Sequence, residues 1–320
     1  MNAFKKYKNY ILLIIILIAI GFVLIPQLDS LKESLLTLRS ANTIWVLVAL
    51  VVFFSGVFIL TLQYMTLAIK KLVFDLTLQV ECSELFVSRI LPSGVGTVAL
   101  NMYYLTHEKH SASQATAVVA ANGLSNAIAY SILIFVGFLA SGFTFDMQHS
   151  AVEDVPTKAI LFMLFTIIVV SALLYHIPVI KQKSKKFFKS LLKNIESYKD
   201  RPKSIAFAVV LNGLGSLTGI LTIYLSAKAL SIDLSVAQAL LTYTAGNIMA
   251  SLVPTPGGLG SAEAGIFAGL TISGLSSADA ISVTMLYRLI SFWIPLIPGY
   301  VAFWHLRKSV LSDFSLKPKV

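Results

Sequence analysis

The 320-residue chain holds one cysteine, Cys82, and 15 acidic residues against 25 Lys and Arg. A lone thiol excludes an internal disulfide and any cysteine-built metal cluster. The motifs of familiar catalysis are missing as well: there is no HExxH, CxxC, Walker phosphate loop or GxSxG nucleophile elbow. GVG and GGLG lack the strand and spacing of a dinucleotide fingerprint, and His107 and His110 read as headgroup-level residues on a turn. Nothing in this inventory asks for a metal or a cofactor. Charged residues are only 12% of the chain, which leaves no room for a soluble domain.

What fills the chain instead is apolar: 57% of residues are hydrophobic and the mean hydropathy is +0.82. Apolar stretches run over 10–25, 41–69, 113–140, 159–177, 204–227 and 281–304, most of them near the roughly 20 residues that a helix needs to cross a bilayer. Lys5, Lys6 and Lys8 precede the first in the manner of a signal peptide, yet no small-x-small cleavage site follows, so it reads as a retained anchor. Two further apolar regions, around 85–105 and 236–273, are interrupted by PSGVGT at 92–97 and PTPGGLGSAEAG at 254–265. Neither is a clean single span.

The net charge of +10 does not point to nucleic acid, because the basic residues gather beside apolar runs as topology signals do. Lys70 and Lys71 close the second stretch, and 181–203 carries eight Lys and one Arg against Glu196 and Asp200. The segment 141–157 has acids and no Lys or Arg, and Arg307 and Lys308 close the last stretch. The positive-inside rule then gives cytoplasmic N- and C-termini. It also gives two halves of opposite topology, each with one interrupted region.

The expected fold is an all-α integral membrane protein of about six full transmembrane helices plus two re-entrant helical hairpins in an inverted-topology repeat. The whole chain is one polytopic domain, with 1–140 and 158–306 as the repeats and 181–203 as a basic linker. GVGT at 94–97 parallels GLGS at 258–261, and SASQA at 111–115 parallels SSADA at 276–280, with one indel between the matches. Phe187, Phe188, Leu191, Leu192 and Ile195 share a helical face amid lysines, so the linker reads either as a helix on anionic headgroups or as an ordinary basic loop.

Non-helical backbone at membrane depth is tolerated only where protein or a polar cavity covers it, so the two breaks mark the candidate site. Gly257, Gly258 and Gly260 permit positive φ, and Gly94 and Gly96 do the same in the first break. A half-helix starting near Ser261 presents free amides and a partial positive charge, a seat for a lipid phosphate. Tight helix packing is the other reading of those glycines. Glu263 falls in the first turn of that half-helix, and its expected partner is Arg288 inside the last stretch, unless Arg288 meets a lipid phosphate. Arg89, one turn before Pro92, can face the same cavity or snorkel to headgroups. Asn101, Asn122, Asn126, Asn212 and Asn247 can line a path or hold helices together.

PTPGGLGSAEAG followed by LYRLISFWIPLIPG, with RILPSGVGTVALNMYYLTHEKHSASQA in the first half, resembles the membrane half of lysylphosphatidylglycerol synthases and their stand-alone relatives. The resemblance spans nearly the whole chain. It implies a lipid-translocating domain, a flippase or scramblase for phospholipid, aminoacylated phosphatidylglycerol or a related lipid, with Glu263 and Arg288 as charged members of a headgroup site. Gly257, Gly258 and Gly260 would be the hairpin of that site. Some relatives carry an acid and an arginine after the first GxG, where this chain has Val98 and Asn101, so headgroup choice does not carry over. The aminoacyl-transferase domain of the full synthases is absent, so a lysyltransferase role would need a separate synthase partner. An envelope scaffold and a solute transporter remain open.

Overall fold

A computed structural model describes residues 28–91, 94–140, 198–253 and 255–309, and every element among them is helical. The expected spans at 10–25 and 159–177 lie outside the described residues, as do Pro92, Pro254 and most of the basic linker. In chain order the helices are α1 (Leu28–Ser40), α2 (Thr43–Leu67), α3 (Phe74–Ile90), α4 (Val95–His107) and α5 (Ala112–Ala140). After the gap come α6 (Pro202–Ala229), α7 (Val236–Leu252), α8 (Ser261–Ile272), α9 (Ser277–Arg288), a π-turn (Leu289–Trp293) and α10 (Ile294–Ser309).

Four helical segments among the described residues are long and apolar enough to cross a membrane: Thr43–Leu67, Ala112–Val136, Pro202–Ala229 and Ser277–Lys308. They coincide with the expected stretches at 41–69, 113–140, 204–227 and 281–304. Their surfaces are inverted relative to a soluble protein: Ile44, Val51 and Ile297 are about 70% exposed, while Thr61, Gln63, Asn212, Thr222 and Ser226 are buried. Apolar side chains on the outside and small or polar ones between helices is the arrangement that lipid favours.

The remaining helices are short. At about 1.5 Å per residue, α3 and α7 reach roughly 25 Å and α4 and α8 less than 20 Å, below the 30 Å hydrocarbon core. Each pair folds back at a glycine-bearing turn. In the first, Gly94 stands at φ +80° as the residue before α4. In the second, Gly257, Gly258 and Gly260 are all at positive φ, and two overlapping turns, closed by the Gly258 and Leu259 amides, lead into α8.

Close approach holds these pairs. A Cβ at Gly265 of α8 would sit 2.5 Å from the Ala245 carbonyl oxygen, and one at Gly269 would sit 2.7 Å from Thr242 Cα. The α7–α8 contact is therefore backbone against backbone, the packing that small residues allow without a hydrophobic drive. In the same way Gly299 lets α10 lie directly on α3, where a Cβ would be 2.8 Å from Phe86 N.

Polar ties hold the helix ends next to the basic residues. Tyr198 donates to the Leu67 carbonyl at 2.6 Å and Arg201 to that of Ala68 at 3.0 Å, capping the open C-terminus of α2. The described end of the basic linker is thus occupied by protein contacts. His110 sits on the expected turn and is 3% exposed. Its Nε2 accepts from the Lys70 amide at 3.0 Å, and burial pushes the imidazole below its ordinary value. It is an internal tie between the end of α2 and the α4–α5 turn, since an acceptor nitrogen must be neutral.

Candidate headgroup site

The two turns meet. A Cβ on Gly257 would lie 2.6 Å from the Phe292 ring and 2.9 Å from the Arg89 carbonyl oxygen, so the second turn rests on the end of α3. Beside that contact is a cavity of about 260 Å³. Ser88, Arg89 and Gly94 line it from the first pair, Tyr243, Asn247, Gly257, Gly258 and Ala262 from the second, and Tyr287, Arg288 and Phe292 from the last segment.

Arg288 ends α9 and is 7% exposed. Its Nε lies 2.7 Å from Glu263 Oε1, off the N–H axis, so the two attract as an ion pair without an aligned hydrogen bond. Nη2 reaches the Gly257 carbonyl at a long 3.5 Å, and the guanidinium carbon stands 4.4 Å from the centre of the Phe292 ring. Glu263 uses its other oxygen, Oε2, to accept the Gly260 amide at 2.8 Å. One carboxylate therefore does two things: it caps the start of α8 and neutralises a buried arginine.

Arg89 has no such partner. Its Nη2 donates to the Ser291 carbonyl and its Nη1 to the Ser88 hydroxyl, both at 2.8 Å. Its guanidinium carbon is 6.0 Å from the Phe292 ring, on which both arginines converge. No carboxylate among the described residues comes within ion-pair distance of it. Two guanidinium groups and one carboxylate leave the cavity with a positive excess in an apolar setting. Such a place attracts an anion, and a guanidinium can grip phosphate through two parallel N–H groups.

The π-turn explains why Phe292 and Ser291 sit where they do. The helix widens after Arg288 into the stretch that carries the Phe292 ring, and Pro295, four residues beyond Ser291, has no amide to offer, which leaves the Ser291 carbonyl free for Arg89. Of the residues expected from sequence, Arg89, Arg288, Gly94, Gly257 and Gly258 line the cavity. Glu263 stands behind Arg288, and Gly260 donates to it. Gly96 and Asn101 lie elsewhere: a Cβ on Gly96 would meet Val87 at 2.9 Å, and Asn101 bonds Glu84 between α3 and α4. Ser88, Tyr243, Tyr287 and Phe292 were not singled out by sequence. An aromatic at i+4 from Arg288 is the readable signal for Phe292.

This is a multi-pass, all-helical membrane protein with a charged cavity between interrupted helices. The chain belongs to the family described as the lysylphosphatidylglycerol synthase TM region, which it matches over residues 10–299. It is similar, at 23% identity over 231 residues, to a UPF0104 membrane protein of Methanocaldococcus jannaschii, covering 72% of this chain and 97% of that one. A UPF0104 membrane protein of Pyrococcus horikoshii is 37% identical over 94 residues, 29% of this chain and 28% of that protein.

Proposed function

We propose that the protein moves phospholipid between leaflets, with an anionic headgroup passing through the cavity at the two turns while the acyl tails stay in lipid. The observation that carries this reading is the positive excess at the cavity: Arg89 and Arg288 line it, and among the described residues one carboxylate, Glu263, stands within ion-pair distance of either. A headgroup phosphate would complete that charge balance, and the unengaged N–H groups of the guanidiniums are its donors. The α3–α4 and α7–α8 pairs are read as opposed re-entrant hairpins, and the helices about them as six spans with both termini cytoplasmic.

Backbone geometry supports the inverted repeat beyond the short sequence matches. Lys109 at φ +62° and Gly274 at φ +94° end α4 and α8 in the same way. The His110 amide bonds the Leu105 carbonyl at 3.0 Å, and Leu275 bonds Leu270 at 3.1 Å. Ser111 then caps Gln114 as Ser276 caps Asp279, each at 3.2 Å. All these pairs stand 165 residues apart, as the numbering of the bonds shows. Halves that repeat with opposite topology are the frame in which one site can face each side in turn.

The test is protein-dependent exposure of headgroup-labelled lipid in liposomes, over a panel of anionic, zwitterionic and aminoacylated lipids. Faster exposure of anionic lipid, slowed at least about tenfold in Arg288→Ala if a single charge-assisted contact of roughly 1.5–3 kcal/mol is lost, is the expected result. Equal rates with and without protein across the panel would sink the proposal. New lysyl-lipid in cells expressing this chain alone would favour an enzyme instead.

A further inference from the structure

A second polar cluster lies in the first half, away from the cavity. Glu81, two turns into α3, is 5% exposed, and its Oε1 has no hydrogen-bond partner among the described residues. Glu84 follows one turn later on the same face and is differently placed, since Asn101 of α4 donates to its Oε1. The two carboxylates act on one another, and both act on Tyr64 of α2.

The cluster is short of donors. Asn101 is fully buried and uses its Nδ2 on Glu84 and, at 3.1 Å, on the Thr97 carbonyl, which leaves its Oδ1 without a partner. Glu81 and Asn101 thus each keep a buried oxygen with no proton to accept among the described residues. Two ionised carboxylates one turn apart with no cation against them are expensive at membrane depth, where acids that persist mark proton relays.

The surrounding titratable groups do not supply that charge. Tyr64 faces the pair from α2, and Tyr104 faces it from α4, bonded to Thr77 at 2.7 Å. On α3 itself are Asp75, Cys82 and Arg89, the last acting on Glu84 without forming an ion pair. From α10, Tyr300 packs on Phe86 at 5.3 Å, and His305, Arg307 and Lys308 follow toward the helix end.

We propose that Glu81 is an exchangeable proton site, with Glu84 as its charged neighbour and Asn101 tying the pair to α4. A proton on Glu81 removes one of the two charges and adds the donor that the cluster lacks. Loss of that proton restores the repulsion between α3's two carboxylates. The change is relayed toward the cavity along one helix, because the Ser88 hydroxyl donates to the Glu84 carbonyl at 2.5 Å and accepts from Arg89. That such a proton serves lipid movement rests on the function proposed above; the site itself does not.

Infrared difference spectroscopy on the full chain in phosphatidylcholine vesicles, stepped in pH, reads the site without any transport. The expected result is a carbonyl stretch of a protonated carboxylic acid that titrates in the wild type and is lost in Glu81→Gln. Glu84→Gln moves its midpoint, and Asp75→Asn, on the exposed start of α3, leaves it alone. Should Glu81→Gln fail to fold, Glu81→Asp keeps a carboxyl and must shift the band. No titrating band in the wild type, a band surviving in Glu81→Gln or an unshifted band in Glu81→Asp overturns the assignment. A wild-type band abolished by sodium but not potassium at fixed pH also overturns it, in favour of a metal cation. Absence of lipid transport with this band intact would sink the function above and leave the proton site standing.

Discussion

Gly257 is where the second turn meets the end of α3, and its backbone leaves no space for a side chain. It stands at φ +62°, and a Cβ would enter the Phe292 ring and the Arg89 carbonyl. Gly260, at φ +79°, has nothing within 4 Å of the same point. Alanine at Gly260 therefore adds only backbone strain of about 1 kcal/mol, while alanine at Gly257 adds a clash and costs roughly 2–3 kcal/mol. Thermal unfolding in detergent should rank the two variants in that order; equal losses would mean that the turn does not press on α3. At this scale the sequence was informative where chemistry is local. An acid and an arginine in apolar surroundings had to find partners, and Glu263 and Arg288 did so. What the sequence hid was the arrival of Arg89 at the same ring, because it stands on a different helix far away in the chain, and LISFW carries no mark of a π-turn.

Short helices are made possible by glycine, and the α7–α8 pair shows how. Gly265 and Gly269 recur at helical spacing on the face that meets Ala245 and Thr242, so the axes approach to backbone contact. Gly265→Leu should force the pair apart, cost about 1–3 kcal/mol by overpacking and detach the second turn from Arg89. Hydrogen exchange across 253–260 checks this: faster exchange there than in α2 is expected, and uniform protection would contradict it. The positions of both interrupted regions were legible because proline and glycine have no other use at such density in an apolar run. The pairing of α2 with α6 and of α3 with α10 was not. Lipid-facing and helix-facing residues are both apolar here, so hydropathy says where a helix is and nothing about its neighbour.

At the scale of the whole molecule, the proposed lipid movement requires two halves of opposite sense. Ala112 and Ser277 occupy equivalent positions, each at the start of a helix after the matching turn, and both are exposed. With Cys82 replaced by alanine, Ala112→Cys and Ser277→Cys should react with an impermeant thiol reagent from opposite sides of a sealed vesicle; labelling from one side would contradict the inverted repeat. The four spans among the described residues were readable from run length alone, whereas the cavity was not, since its walls come from residues about 200 positions apart, as the Arg89 to Ser291 bond illustrates. The central claim is that a lipid headgroup enters between the two turns. Photo-cross-linking with a phospholipid carrying the reactive group on its headgroup, mapped by mass spectrometry, tests that claim most directly. Adducts on 88–94 and 243–262 that fall in Arg89→Ala and Arg288→Ala are the predicted result. Adducts confined to the outward faces of α2, α5 and α6, indifferent to both arginines, would contradict it.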